Sequence, residues 1–238
     1  MKNRTFYTAL LPTLFISLTL GHVLRTTSAQ KPLKTPPVPQ TLPIEQCDGM
    51  QGRIDAIVAS YSTNYTFPGH ATTYNQQHFC DAFAVEELYG LPAAGVLAKA
   101  ASEHSFGSKG DKIKEGNNHF GIKWREQYAS TYPECFYAQT SEYTPENKIR
   151  DCFVIYPDAR ASYAHFGEFL TTRETGGQKV YAAVLAKKGT AREFLIALAD
   201  SAYSTNLKEK SLTLGILDTY HLEEIVHDIK LMIPGANP

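Results

Sequence analysis

The spacing of apolar and polar residues predicts helices along most of this chain and strand in one place only. The strongest signal is LPAAGVLAKAASEHSFG at 91–107, where Pro92 suits a first helical turn because its missing N–H has no partner to lose there. Between 93 and 101 every residue except Gly95 and Lys99 is apolar, and a helix apolar on nearly every side is a buried one. Gly107 supplies the stop signal. Further helical patterns are RIDAIVASY (53–61), NQQHFCDAFAVEELYG (75–90, with Phe79, Phe83 and Val85 at helical spacing), YAAVLAKKG (181–189) and TAREFLIALADSAYS (190–204). SYAHFGEFLTTRE (162–174) turns Tyr163, Phe166, Phe169 and Leu170 inward, and LGILDTYHLEEIVHDIKLMI (214–233) reads as one helical stretch. The charged segment 110–116 reads as a loop. Alternating residues with turn signals appear only between 128 and 156, as a β-hairpin. The chain is therefore expected to be α+β and mostly α.

Composition adds limits. A net charge of −1 over 238 residues gives no bulk attraction for nucleic acid, so no nucleic-acid partner is expected. The first residues carry Lys2 and Arg4, then an apolar run and small residues at Thr27 and Ala29, which is the pattern of a cleaved export signal over 1–29. The run is short and polar for a permanent anchor, so no stable membrane insertion is expected after cleavage. A Pro-rich linker follows at 30–45, then an N-terminal extension at 46–76 and the main domain at 77–232. Four cysteines in an exported chain suggest two disulfides, with three connectivities open. Cys135 and Cys152 flank the hairpin and could staple it, which would leave Cys47 and Cys80 to tie the extension to the domain.

Chemistry concentrates at Glu103, which shares a face with Val96 and Ala100 on the buried helix. Burial and the negative end of the helix dipole are both expected to raise its pKa, which suits a general acid. The competing reading is an exposed Glu held by Lys99 one turn earlier. No cofactor or metal is expected: there is no C-x-x-C, no Gly-rich phosphate loop and no G-x-S-x-G. His221, Glu224 and Asp228 share a helical face without H-E-x-x-H spacing and read as solvated.

LAKAASEHSFG followed by NNHFGIKW resembles the motif of the bacterial glucosaminidase domains (glycoside hydrolase family 73) of autolysins and flagellar-type peptidoglycan hydrolases. There the pattern reads LAQAxLESxxG, then N-x-FGIK. The acidic residue of that motif falls on Glu103. The chain departs in carrying Lys99 for the usual Gln, Ser102 for an apolar residue and His104-Ser105 for Ser-Gly. The resemblance covers about 79–206 and implies a lysozyme-like helical domain with a small β-hairpin lobe. It implies cleavage of the β-1,4 bond after N-acetylglucosamine in peptidoglycan glycan strands, with Glu103 as general acid. QTSEYTPENKIRDCFVIY resembles the family hairpin and puts its acid on Glu142, with Glu134 and Glu146 as competitors. AYSTN at 202–206 resembles the family's AYATD or GYATN ending, which places Tyr203 across the cleft to orient the N-acetyl group. Asn118, Phe120 and Trp124 of the second signature are the remaining expected substrate contacts, and the Asn amides there are also expected to bond the backbone and hold the chain entering the β-lobe. A non-catalytic wall-binding module, a secreted structural protein and a lytic transglycosylase stay open as alternatives.

Overall fold

The computed structural model describes residues 44–141, 148–203 and 208–232. In chain order these form α1 (Ile44–Tyr65), α2 (Gly69–Tyr89), α3 (Ala93–His104), α4 (Asp111–Gly116), the hairpin β1 (Cys135–Ser141) and β2 (Lys148–Val154), and α5 (Ala159–Thr172). A two-residue hairpin, β3 (Glu174–Thr175) and β4 (Gln178–Lys179), precedes α6 (Ala182–Leu185), α7 (Ala191–Ala199), α8 (Glu209–Thr219) and α9 (Leu222–Leu231). The export signal, most of the Pro-rich linker, Glu142 and Glu146 lie outside the described residues. Among the described residues, no helix is long and apolar enough to cross a membrane.

The central element is α3, which packs against α2, α7, α8 and α9. All of its residues from 93 to 101 are buried, as the apolar run requires. Its small residues allow neighbours to come close: a Cβ on Gly95 would sit 2.8 Å from Phe194 Cδ1 of α7. The helix stops earlier than its glycine suggests. Ser105, Phe106 and Gly107 are all left-handed (φ 50°, 53° and 74°). The cost of that conformation in two non-glycine residues is offset locally. Phe106 packs on Tyr74 and Tyr220, and the Gly107 N–H donates to His104 Nδ1 at 2.7 Å.

The hairpin is antiparallel, with Cys135 opposite Val154 and Ser141 opposite Lys148. Residues 122–124 run beside β2 and join it to the helices: Val154 N–H donates to Ile122 O (3.1 Å), and Trp124 N–H to Cys152 O (2.7 Å). Asn118 locks that junction. Its amide donates to Ile122 O and Val154 O, and its carbonyl accepts from Ile122 N–H, all at 2.9–3.0 Å. The disulfides are Cys47–Cys80 and Cys135–Cys152, as expected.

Four expectations change. The segment 110–116 is mostly helix rather than loop. Residues 46–76 are not an appendage: Ile54, Val58, Phe67, Ala71 and Tyr74 are buried in the main core. The stretch 214–233 is two helices, broken where His221 turns left-handed (φ 50°). The break lets α8 reach α3 and α7 while α9 reaches α1 and α3, with Leu217 and Leu222 both buried on either side of it. The run 181–189 yields only the four residues of α6 as helix.

Candidate active site

The last turn of α3 carries Glu103 into a cleft of about 390 Å³. One wall comes from α4, the following loop and the hairpin, through Lys112, Phe120, Gly121, Thr140 and Phe153. The other comes from the segment after α7 and from α8, through Tyr203, Glu209 and Leu212, with Arg173 and Tyr181 between them. Glu103 is half-buried. Its Oε1 bonds Lys99 Nζ, and its Oε2 lies 3.8 Å from Lys112 Nζ. Lys99 is wholly buried and bonds a second carboxylate, Glu209, from the start of α8.

The charge state of Glu103 is the reverse of the one expected from the sequence. Burial raises its carboxyl, but Lys99 and then Lys112 outweigh burial and hold it below the usual carboxylate range. Two ammonium groups at this range act more strongly than the half-charge at a helix terminus. Lys99 itself is pushed down by burial and up by Glu103 and Glu209, and ends above the ordinary lysine range.

Gly121 makes the opposite face of the carboxylate. It is left-handed (φ 65°), and a Cβ there would meet Glu103 Oε2 at 3.1 Å and Lys112 Nζ at 3.0 Å. Gly121→Ala is therefore expected to cost about 1–2 kcal/mol of stability and to displace Glu103. In urea titrations and steady-state kinetics, kcat should fall while the fold persists. A folded variant with the wild-type kcat would show that the carboxylate tolerates the methyl group.

Tyr203 stands beside Glu103, with Lys99 Nζ 4.9 Å from its ring centroid. Its hydroxyl donates to Phe120 O at 2.8 Å. Burial, then the charges of Glu103 and Glu209, push this phenol far up, so it stays a neutral donor.

The structure thus brings together Glu103, Phe120 and Tyr203. Phe120 offers its backbone more than its ring, which is buried and stacked on Phe166 at 4.0 Å. Asn118 and Trp124 do not line the cleft: Asn118 is fully buried in the hairpin junction, and Trp124 Nε1 donates to Tyr132 O at 2.8 Å. Glu134 is exposed ahead of β1 and is not in the cleft wall. Thr140, two residues before Glu142, is. Sequence reasoning missed Glu209, Lys112, Arg125 and Arg173, all of which line the cleft. Among the described residues, no group of His, Cys, Asp and Glu side chains could hold a metal ion. His221 contacts Glu224 at 3.6 Å and stacks on Tyr65, and Asp228 accepts from Tyr61 at 2.9 Å.

No curated protein matches the chain by sequence. The family described as mannosyl-glycoprotein endo-beta-N-acetylglucosaminidase matches residues 81–222, more than half of the 238 residues. This chain belongs to the glucosaminidase family. It is accordingly a glycoside hydrolase, and the match spans Glu103, the 117–124 signature and Tyr203. Solved structures of similar fold include the catalytic domain of the autolysin Auto from Listeria monocytogenes (22% identity, TM-score 0.54, covering 74% of this chain and 96% of that one). An N-acetylmuramoyl-L-alanine amidase from Staphylococcus aureus matches at 16% identity and TM-score 0.56, over 70% of this chain and 48% of that one. A peptidoglycan hydrolase mutant from Sphingomonas sp. A1 matches at 16% identity and TM-score 0.52, over 66% and 98%. These likenesses establish a shared fold.

Proposed function

We propose that this glucosaminidase is an exported hydrolase of peptidoglycan, cleaving the β-1,4 bond after N-acetylglucosamine with Glu103 as general acid. The observation that carries this reading is the placement of Glu103 in the cleft wall at the end of a buried helix, beside Tyr203 and against a glycine with no side chain to block it. In the reaction, protonated Glu103 gives its proton to the glycosidic oxygen as the C1–O bond breaks. Positive charge then develops at C1 and the ring oxygen. Glu142 is assigned to the second role, activating water or stabilising that charge. The substrate's 2-acetamido group, positioned by Tyr203, is the other group able to reach C1.

Two features favour peptidoglycan over a neutral glycan. Lys112, Lys123, Arg125 and Arg173 line the cleft, and stem peptides carry carboxylates that such a rim attracts. The two disulfides suit an oxidising compartment outside the cytoplasm, in keeping with removal of residues 1–29 on export. In this reading α1 works as part of the domain, bonded to α2 through Cys47–Cys80 and packed into the core.

The deciding experiment is mass spectrometry of muropeptides released from purified peptidoglycan. Products with reducing N-acetylglucosamine ends are expected. Anhydro-sugar ends would make the enzyme a lytic transglycosylase, and binding without release would make it a wall-binding module.

A further inference from the structure

We propose that Glu209 is a positioning residue for the reaction: through Lys99, it is the carboxylate that leaves Glu103 free to carry a proton. The inference rests on the reading of Glu103 as general acid and deepens it. It starts from an oddity of the sequence, a lysine at 99 where the family motif has glutamine.

Lys99 is fully buried on α3. An ammonium group taken out of water without a partner costs several kcal/mol or surrenders its proton. Here it bonds two carboxylates, Glu103 from its own helix and Glu209 from α8. Glu209 lies in the first turn of α8, where the helix dipole favours a negative charge. Among the described residues, Lys112 from α4 also bears on Glu103, at 3.8 Å, as does the adjacent titratable His104. Lys123, Arg125 and Arg173 line the same cleft, with Tyr203 contributing a neutral hydroxyl.

The consequence follows from the count of charges. With Glu209 in place, protonating Glu103 still leaves the buried Lys99 bonded to a carboxylate. Without Glu209, the same protonation would leave the buried ammonium without that carboxylate, so Glu103 would be held ionised more firmly than it already is. A glutamine at 99 needs no such counter-charge. Lys99 and Glu209 therefore form a coupled unit, and changing either alone disturbs Glu103 in opposite directions.

The test is a carboxyl-carbon NMR titration of Glu103, paired with kcat/KM against pH on peptidoglycan. Comparison is between the wild type, Glu209→Gln, Lys99→Gln and the double variant. Glu209→Gln should move the Glu103 midpoint down, and lower kcat/KM about tenfold or more at a fixed pH on the alkaline limb. Lys99→Gln should move the midpoint and the limb up. The double variant should fall between the two, nearer the wild type than the sum of their effects. Unmoved midpoints, or shifts in the same direction, overturn the inference. If Glu209→Gln does not fold, Lys99→Gln and the double variant carry the comparison. Failure of the underlying reading looks different: Glu103→Gln would then stay active, while the titration still decides whether Glu209 governs the charge on Glu103.

Discussion

Glu103→Gln is expected to reduce peptidoglycan hydrolysis by at least ~10³-fold while the protein stays folded. Glutamine keeps the size of the side chain and can still accept from Lys99, but it has no proton to give to the leaving oxygen. The fold should survive because Lys99, the buried cation, remains bonded to Glu209. The thermal midpoint should be unchanged or slightly higher, since functional carboxylates often cost stability. A folded Glu103→Gln protein that clears peptidoglycan at near wild-type rate would end the acid mechanism. The two lysines add a pH signature. They hold the Glu103 carboxyl below the usual range, so the acid form is abundant only at low pH and kcat/KM should fall as pH rises through that midpoint.

Stability should run the other way, and by a large amount. Tyr74 Oη is the hub of a buried network joining His104 Nε2 (3.3 Å), His119 Nδ1 (2.9 Å) and Tyr163 Oη (3.0 Å). His104 Nδ1 accepts from Gly107 N–H, so its proton sits on Nε2 and a second proton would confront a donor. Burial lowers His104 to about 4 and His119 to about 2. It lowers His165, bonded to Tyr156 at 2.7 Å, to about 4. In the unfolded chain each titrates near ~6.5. Their contribution is therefore complete above that pH and is lost as pH falls toward the folded values. At pH 5 the loss is about 2 kcal/mol per histidine, or roughly 6 kcal/mol for three, against a total of about 5–15 for a typical domain. Urea midpoints at pH 7.5 and pH 5 should differ accordingly, and equal midpoints would show that these histidines are not held neutral. With Glu103 as the acid, activity is thus expected to favour acid while stability opposes it.

The sequence made part of this legible. The helix bearing Glu103 was readable because its apolar residues surround it on every side, as only a central helix requires. The hairpin was readable because strand periodicity and two cysteines coincide there. Tyr203 was readable only through its resemblance to a family ending. The charge on Glu103 was not readable: it depends on Lys112, from a segment that reads as a loop, and on Lys99, whose burial is invisible in a one-turn spacing that also fits a surface pair. Glu209 was hidden for a different reason. It lies 106 positions beyond Glu103 in Lys-Glu-Lys, a run with every mark of a solvated face, and only the packing of α8 on α3 turns it inward. Asn118 was readable in its backbone role, as an amide that holds the chain entering the hairpin, but not in its distance from the cleft, since the same amide can serve substrate or backbone.

The two walls of the cleft rest on unequal foundations. Glu103 is carried by α3, enclosed by four helices, so its amides should exchange with solvent only when the whole domain unfolds. The hairpin is joined to the rest through α4 and the 122–124 strip, so its amides should exchange through smaller, more frequent openings. A glycan strand could then be admitted by breathing of the hairpin alone, with Glu103 and Lys99 held in place on α3.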